Sequence, residues 1–167
     1  MSGKYQEMKM QCAARTNHVG FTVSDLDRAI ARYVGLFGYV LHDRGVRHPR
    51  GVELLTGVAG ADIEVAHLHH PDLIAIELIR YHGPQDAGRI MARPCDAGHM
   101  HLTFDVADIG DMVQTAMTLG FEMAGRVVQS AKVASEGSRV VYLRDVDGVT
   151  IELIQPPAGP AMAPPAG

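Results

Sequence analysis

Tryptophan is absent from this 167-residue chain, and four Phe and five Tyr supply all its six-membered aromatic rings. Without a basic, aromatic stripe there is no platform on which single-stranded nucleic acid could stack. Two cysteines, Cys12 and Cys95, are too few for a disulfide framework. Both read as reduced thiols of a cytoplasmic protein. Charged residues make up only 20% of the chain, and their balance is negative, −4 at pH 7. That sign argues against nucleic acid or an acidic membrane surface as partner. Neither end carries a long apolar run, so neither a signal peptide nor a membrane span is expected. Glycine-rich nucleotide loops and the G-x-S-x-G nucleophile elbow are missing as well.

What the chain does have is a text written twice. His18-Val19-Gly20-Phe21-Thr22-Val23-Ser24-Asp25 reads against His101-Leu102-Thr103-Phe104-Asp105-Val106-Ala107-Asp108, and Ile76-Glu77-Leu78-Ile79 against Ile151-Glu152-Leu153-Ile154. The offsets are 101 − 18 = 83 and 151 − 76 = 75. An internal duplication follows, within a length that suits one domain or two small modules sharing a core.

Each copy opens on a strand with period-two alternation. Val19, Phe21 and Val23 share one face, with His18, Gly20 and Thr22 on the other. Leu102, Phe104 and Val106 repeat the apolar face, and His101, Thr103 and Asp105 the polar one. A helix follows in each copy. Ser24 with Asp27, and Asp108 with Asp111, are N-cap candidates with an acid three residues on. Gly38 and Gly120 stand where left-handed C-terminal caps are wanted. Three extended segments then close each module, at 40–46, 62–67 and 73–79 in the first and 121–128, 139–143 and 149–154 in the second. The pattern is βαβββ, twice. It divides the chain into a flexible N-terminus (1–13), a first module (14–82), a linker (83–98), a second module (99–155) and a disordered Pro/Ala/Gly tail (156–167).

The same alternation puts Glu77 and Glu152 on the face that carries His18 and His101. An ionised Glu flanked by Ile and Leu is costly to bury without a partner. Two of them, at matching positions beside two matching histidines, suit a divalent ion with water in its remaining positions. His67, His69 and His70 read as a solvated turn before Pro71, and His99 as a pocket residue on the face of His101.

These residues resemble the vicinal oxygen chelate superfamily, which includes glyoxalase I, methylmalonyl-CoA epimerase, extradiol dioxygenases and the bleomycin- and fosfomycin-resistance proteins. The resemblance covers residues 15–157. It rests on N-H-V-G-F-T-V-S-D-L-D-R-A from Asn17, G-H-M-H-L-T-F-D-V-A-D from Gly98 and R-D-V-D-G-V-T-I-E-L from Arg144. It implies an α+β fold of two tandem βαβββ modules forming a cupped, mixed eight-stranded sheet with helices outside. It implies one divalent metal ion (Ni, Co, Zn, Mn, Mg or Fe) held by His18, Glu77, His101 and Glu152, a small-molecule substrate and a homodimer. With the fourth ligand position filled by Glu77, it implies a lyase or isomerase that transfers a proton beside a metal-bound carbonyl through an enediolate. Glu152 and Glu64 are then the carboxylates flanking the substrate carbon. The alternatives it leaves are an Fe(II) extradiol dioxygenase and a non-catalytic binder of a small molecule or antibiotic.

Overall fold

The computed structural model describes residues 14–130 and 136–157. The flexible segment expected at 1–13 and residues 158–167 of the expected tail lie outside the described residues. The first module runs β1 (His18–Thr22), α1 (Leu26–Phe37), β2 (Val40–Val46), α2 (Pro49–Thr56), β3 (Asp62–His69) and β4 (Ala75–Gly83). The second runs β5 (His101–Asp105), α3 (Ile109–Thr118), β6 (Glu122–Met123), β7 (Val128–Gln129), β8 (Arg139–Arg144) and β9 (Thr150–Gln155). Residues 84–100, between the modules, carry neither helix nor strand.

Each module folds into its own mixed sheet. The strand order is β1-β4-β3-β2 in one and β5-β9-β8-β6 in the other, with β7 also on β8. In each, the opening strand lies parallel to the last one and the remaining pairs are antiparallel. The fold is α+β, with the duplicated βαβββ plan. Two departures stand out. The extended segment expected at 121–128 is two short strands, both on β8. A helix, α2, occupies part of what reads as a loop: Pro49 sits in its first turn and Gly57 closes it in the left-handed conformation.

Capping explains where the longer helices start. Asp25, rather than Ser24, caps α1, its carboxylate accepting the Arg28 N–H. Asp108 caps α3 through the Asp111 N–H, as its sequence suggests. Gly38, at φ 69°, closes α1 and accepts the geometry without a Cβ penalty.

The apolar faces of both modules meet in one core. It joins Leu26, Tyr33, Ile76 and Leu78 of the first half to Phe104, Ile109, Leu143 and Ile151 of the second. Phe37 stacks on Phe104 across the two halves, ring centroids 3.7 Å apart. Val19 and Phe21 pack against this core, so the opposite face of β1, which carries His18, is left clear of it.

The segment between modules is pinned on the turn before β9. Asp147 accepts the Ser24 N–H, and Arg89 approaches its other oxygen at 3.7 Å. Gly148, at φ 88°, lies so close to the segment that a Cβ there would collide with the Ile90 carbonyl and reach within 3.2 Å of Met91 Sδ. We expect Gly148→Ala to cost about 1–3 kcal/mol, from the strained φ and the backbone collision together. Thermal melts should fall by about 2–4 °C for each kcal/mol at this chain length. An unchanged melting temperature would show that the segment yields freely.

Candidate metal centre

Strand register decides which polar side chains can meet. His18 lies opposite Ala75 on the parallel β1–β4 pair, and Gly20 opposite Glu77. The second copy matches it: His101 opposite Thr150 and Thr103 opposite Glu152. Each histidine therefore stands two residues back from its glutamate on the neighbouring strand, on the same face. His18 Nε2 lies 3.6 Å from Glu77 Oε2, and His101 Nε2 3.5 Å from Glu152 Oε2. Donors about 2.1 Å from one tetrahedral ion stand about 3.4 Å from each other. Both pairs thus have the spacing of two ligands on a common cation, and an imidazole with a carboxylate is a donor set that divalent ions accept. All four side chains keep partial contact with solvent, between 18 and 38% exposed, so an ion has a way in.

The structure presents these as two half-sites, one per module. Among the described residues, no three His, Cys, Asp or Glu side chains are already drawn into one coordination sphere.

The glutamates are held differently. Glu77 Oε1 is 3.1 Å from His67 Nε2, whose other ring nitrogen lies 3.5 Å from Asp43. Arg47, then His67, hold the Asp43 carboxyl below the usual carboxylate range. Both Glu77 oxygens therefore face an imidazole. Glu152 accepts the Thr103 hydroxyl at 2.9 Å through the same oxygen that faces His101. Its Oε1 has no hydrogen-bond partner among the described residues. Tyr142 is its cross-strand neighbour and also lies against His101, ring centroids 5.0 Å apart. Burial, then the Glu152 charge, push the Tyr142 phenol pKa up, so it stays an O–H donor.

The other sequence candidates fall as follows. His67 and His69 are strand residues, not part of a solvated turn, because β3 continues to His69. His69 stacks on His42, and His70 packs against Tyr39. His99 bonds Thr150 Oγ1 at 3.0 Å, directly behind His101. Glu64 is not brought to the face of His18 and Glu77. Three residues from His67 on the same strand, it points to the opposite side. There it pairs with Arg44, which also binds Asp27 of α1, and with His82. The Arg44 guanidinium holds its carboxyl below the usual range, which makes it a weaker base. Glu64 and Glu152, the two carboxylates expected to flank a substrate carbon, therefore do not share a face in this structure.

Tyr142 is not singled out by the sequence and His67 reads there only as a turn residue, yet a repeat links the two. His67 precedes Glu77 by ten residues and Tyr142 precedes Glu152 by ten (77 − 67 = 152 − 142 = 10). The hairpins β3–β4 and β8–β9 place both directly across from their glutamates.

Two cavities adjoin this face. A cleft of about 710 Å³ runs between β1, the end of β4 and the inter-module segment, lined by Gly20, Thr22, Arg80, Arg89 and His99 among others. A smaller one, about 300 Å³, opens over Glu152 and Tyr142.

Comparison with known proteins extends this picture. The family model described as the Glyoxalase/Bleomycin resistance protein/Dioxygenase superfamily matches residues 17–142. A 2-epi-5-epi-valiolone epimerase from Actinomyces sp. is 30% identical over 154 residues, covering 88% of this chain and 82% of the relative. A glyoxalase family protein from Bacillus cereus superposes with a TM-score of 0.76 at 29% identity, covering 90% of this chain and 99% of that one. The fosfomycin resistance protein FosX of Listeria monocytogenes, solved as a Glu-to-Gln mutant with Mn(II) and 1S,2S-dihydroxypropylphosphonic acid, shares the fold. Its TM-score is 0.57 at 14% identity, over 87% of this chain and 95% of that one.

Proposed function

The chain belongs to the glyoxalase/bleomycin resistance protein/dioxygenase superfamily, and from that premise we propose that it is a divalent-metal-dependent lyase or isomerase that moves a proton next to a carbonyl of a small molecule. The observation that carries this reading is the duplicated imidazole–carboxylate pair, at 3.6 and 3.5 Å, on the face of each sheet turned away from the shared core. His18, Glu77, His101 and Glu152 would hold the ion. When bound there, a divalent cation supplies a Lewis acid that polarises a carbonyl oxygen and acidifies the neighbouring C–H.

The chain's own residues divide the remaining work. Glu77, facing an imidazole at each oxygen, is the anchored carboxylate. Glu152, its Oε1 without a partner among the described residues and beside a cavity, is the carboxylate that takes the proton from carbon and returns it. Thr103 holds the other oxygen of Glu152 and so fixes the plane of the carboxylate. The relative named as an epimerase supports inversion at a stereocentre as the outcome of that proton transfer. A homodimer of this chain, in the cytoplasm, completes the proposal.

Metal analysis of the purified protein tests the ligand set. Wild type should carry a divalent ion in stoichiometric amount, and His101→Ala should lose it, since truncating one ligand removes a full metal–nitrogen bond. Stoichiometric metal in both proteins would overturn the assignment. Loss of substrate C–H signal in deuterated solvent tests the chemistry. The screen covers α-keto thiohemiacetals, 2-methyl acyl thioesters and 2-epi-5-epi-valiolone, with metal added back. No exchange across the panel counts against proton transfer.

A further inference from the structure

The smaller cavity lies wholly on the second module and its flanking segment. Its lining joins Pro94, Ala124, Arg126, Val128, Tyr142 and Glu152. Most of the wall is apolar, and three groups break it: one carboxylate, one phenol and one guanidinium. The carboxylate is bound by Thr103. Neither Arg126 nor the Tyr142 hydroxyl has a hydrogen-bond or ion-pair partner among the described residues. Most other arginines of the described chain are engaged. Arg32, Arg44, Arg47, Arg93, Arg139 and Arg144 all bind carboxylates or carbonyl oxygens.

The duplication shows what is different here. At the position of Tyr142 the first module has His67, and that imidazole is spent on Glu77. The phenol in the second copy makes no such bond, so its O–H remains available to a ligand in the cavity. A guanidinium and a hydroxyl facing one small apolar chamber are the donors that an anionic oxygen group calls for. A volume of about 300 Å³ sits at the lower end of ligand pockets, which limits the rest of the molecule to a short body.

We propose that this cavity receives a small substrate with an alkyl body and an anionic group, carboxylate or phosphate, held by Arg126 and the Tyr142 hydroxyl with the reacting carbon turned to Glu152. The proposal rests on the reading of Glu152 as the proton-transferring carboxylate. It assigns the substrate class that the family membership leaves open. Arg126 also brings a positive charge to the cavity that Glu152 lines, which favours an anion entering a protein of net charge −4.

Calorimetric titration of the metal-loaded protein tests it with three probes: isobutyrate, its uncharged isostere isobutyramide, and inorganic phosphate. Isobutyrate or phosphate should bind at least about tenfold more tightly than isobutyramide, as expected when a charge-assisted bond is gained. Arg126→Gln should weaken the preferred anion by about tenfold or more, Arg126→Lys by less, and Tyr142→Phe by a few-fold. Arg126 is exposed, so its variants should melt like wild type. Tighter binding of phosphate than of isobutyrate assigns a phosphoryl substrate, and the reverse a carboxylate.

Equal affinity of wild type and Arg126→Gln, equal binding of acid and amide, or no anion binding up to about 10 mM overturns the proposal. Failure of the functional reading looks different. Arg126-dependent anion binding without any C–H exchange would leave the cavity and remove the chemistry. Exchange that is indifferent to Arg126 would do the opposite.

Discussion

Glu152→Gln is expected to slow exchange of the substrate C–H with solvent by about 10²–10⁴-fold, the range that a positioned general base contributes. The argument is one of asymmetry within a symmetric scaffold. Both glutamates occupy the same place in their modules, two residues along the neighbouring strand from a histidine. Of the two, Glu152 alone keeps an oxygen without a partner among the described residues, beside a cavity. Glutamine preserves the shape and still offers an amide oxygen, so the Thr103 bond and a weakened metal contact can persist while the basic oxygen is gone. Rates must therefore be compared at matched metal content. Glu77→Gln should behave in the opposite sense. Its main effect should be on metal retention, because both Glu77 oxygens face imidazoles. Undiminished exchange in metal-replete Glu152→Gln would remove Glu152 from the chemistry, and an equal loss in both variants would remove the asymmetry.

The faces of β1, β4, β5 and β9 were legible in the sequence because one side of each packs on the core. There the buried apolar residues recur at every second position, as Ile76 and Leu78 or Ile151 and Leu153 do, and this puts His18, Glu77, His101 and Glu152 on the other side. On β3 the same reasoning stops working. Ala66 and Leu68 face the main core, while Ile63 and Val65 are covered by α2 through Val52. A strand apolar on both sides carries no alternation to read, so the opposite orientations of Glu64 and His67 emerge only from the pairing with β4. The helix α2 was hidden for a related reason. It has eight residues and only Val52 is buried, so it lacks the repeated apolar stripe by which the sequence betrays α1 and α3. Arg126 is a case of a different kind. It lies in a connection between two short strands, where neither periodicity nor the repeat constrains a side chain, and only the cavity wall gives it meaning.

The second large effect expected is on stability, from Arg32→Ala. Arg32 is 2% exposed in α1, yet two of its three guanidinium nitrogens are satisfied by the second module: Nε donates to the Leu119 carbonyl and Nη1 to Asp145, each at 3.0 Å. Asp145, 4% exposed, in turn accepts the Asp147 and Val149 N–H groups that shape the turn before β9. The pair thus ties the first helix to the last hairpin across 113 residues of sequence. Truncating one partner strands the other charge in the core, at a cost of about 3–5 kcal/mol. That is a large share of the roughly 5–15 kcal/mol that holds a domain together. The pH dependence follows from two opposed influences on Asp145. Burial pushes its carboxyl up, and the Arg32 guanidinium pulls it down. Without Arg32 only the Asp147 and Val149 amides still pull it down, so burial weighs more and folding favours the protonated acid more strongly. Stability from that form is full below the unfolded value of about 3.9 and is lost as pH rises through the raised folded value. Urea melts should therefore show a smaller deficit for Arg32→Ala at about pH 5 than at pH 7. Adding Asp145→Asn, which keeps an acceptor for the turn amides, should recover much of the loss at neutral pH, because the stranded charge is removed with its partner. A deficit under about 1 kcal/mol at pH 7, or one that grows on acidification, would mean that the two halves are held together by apolar contact alone.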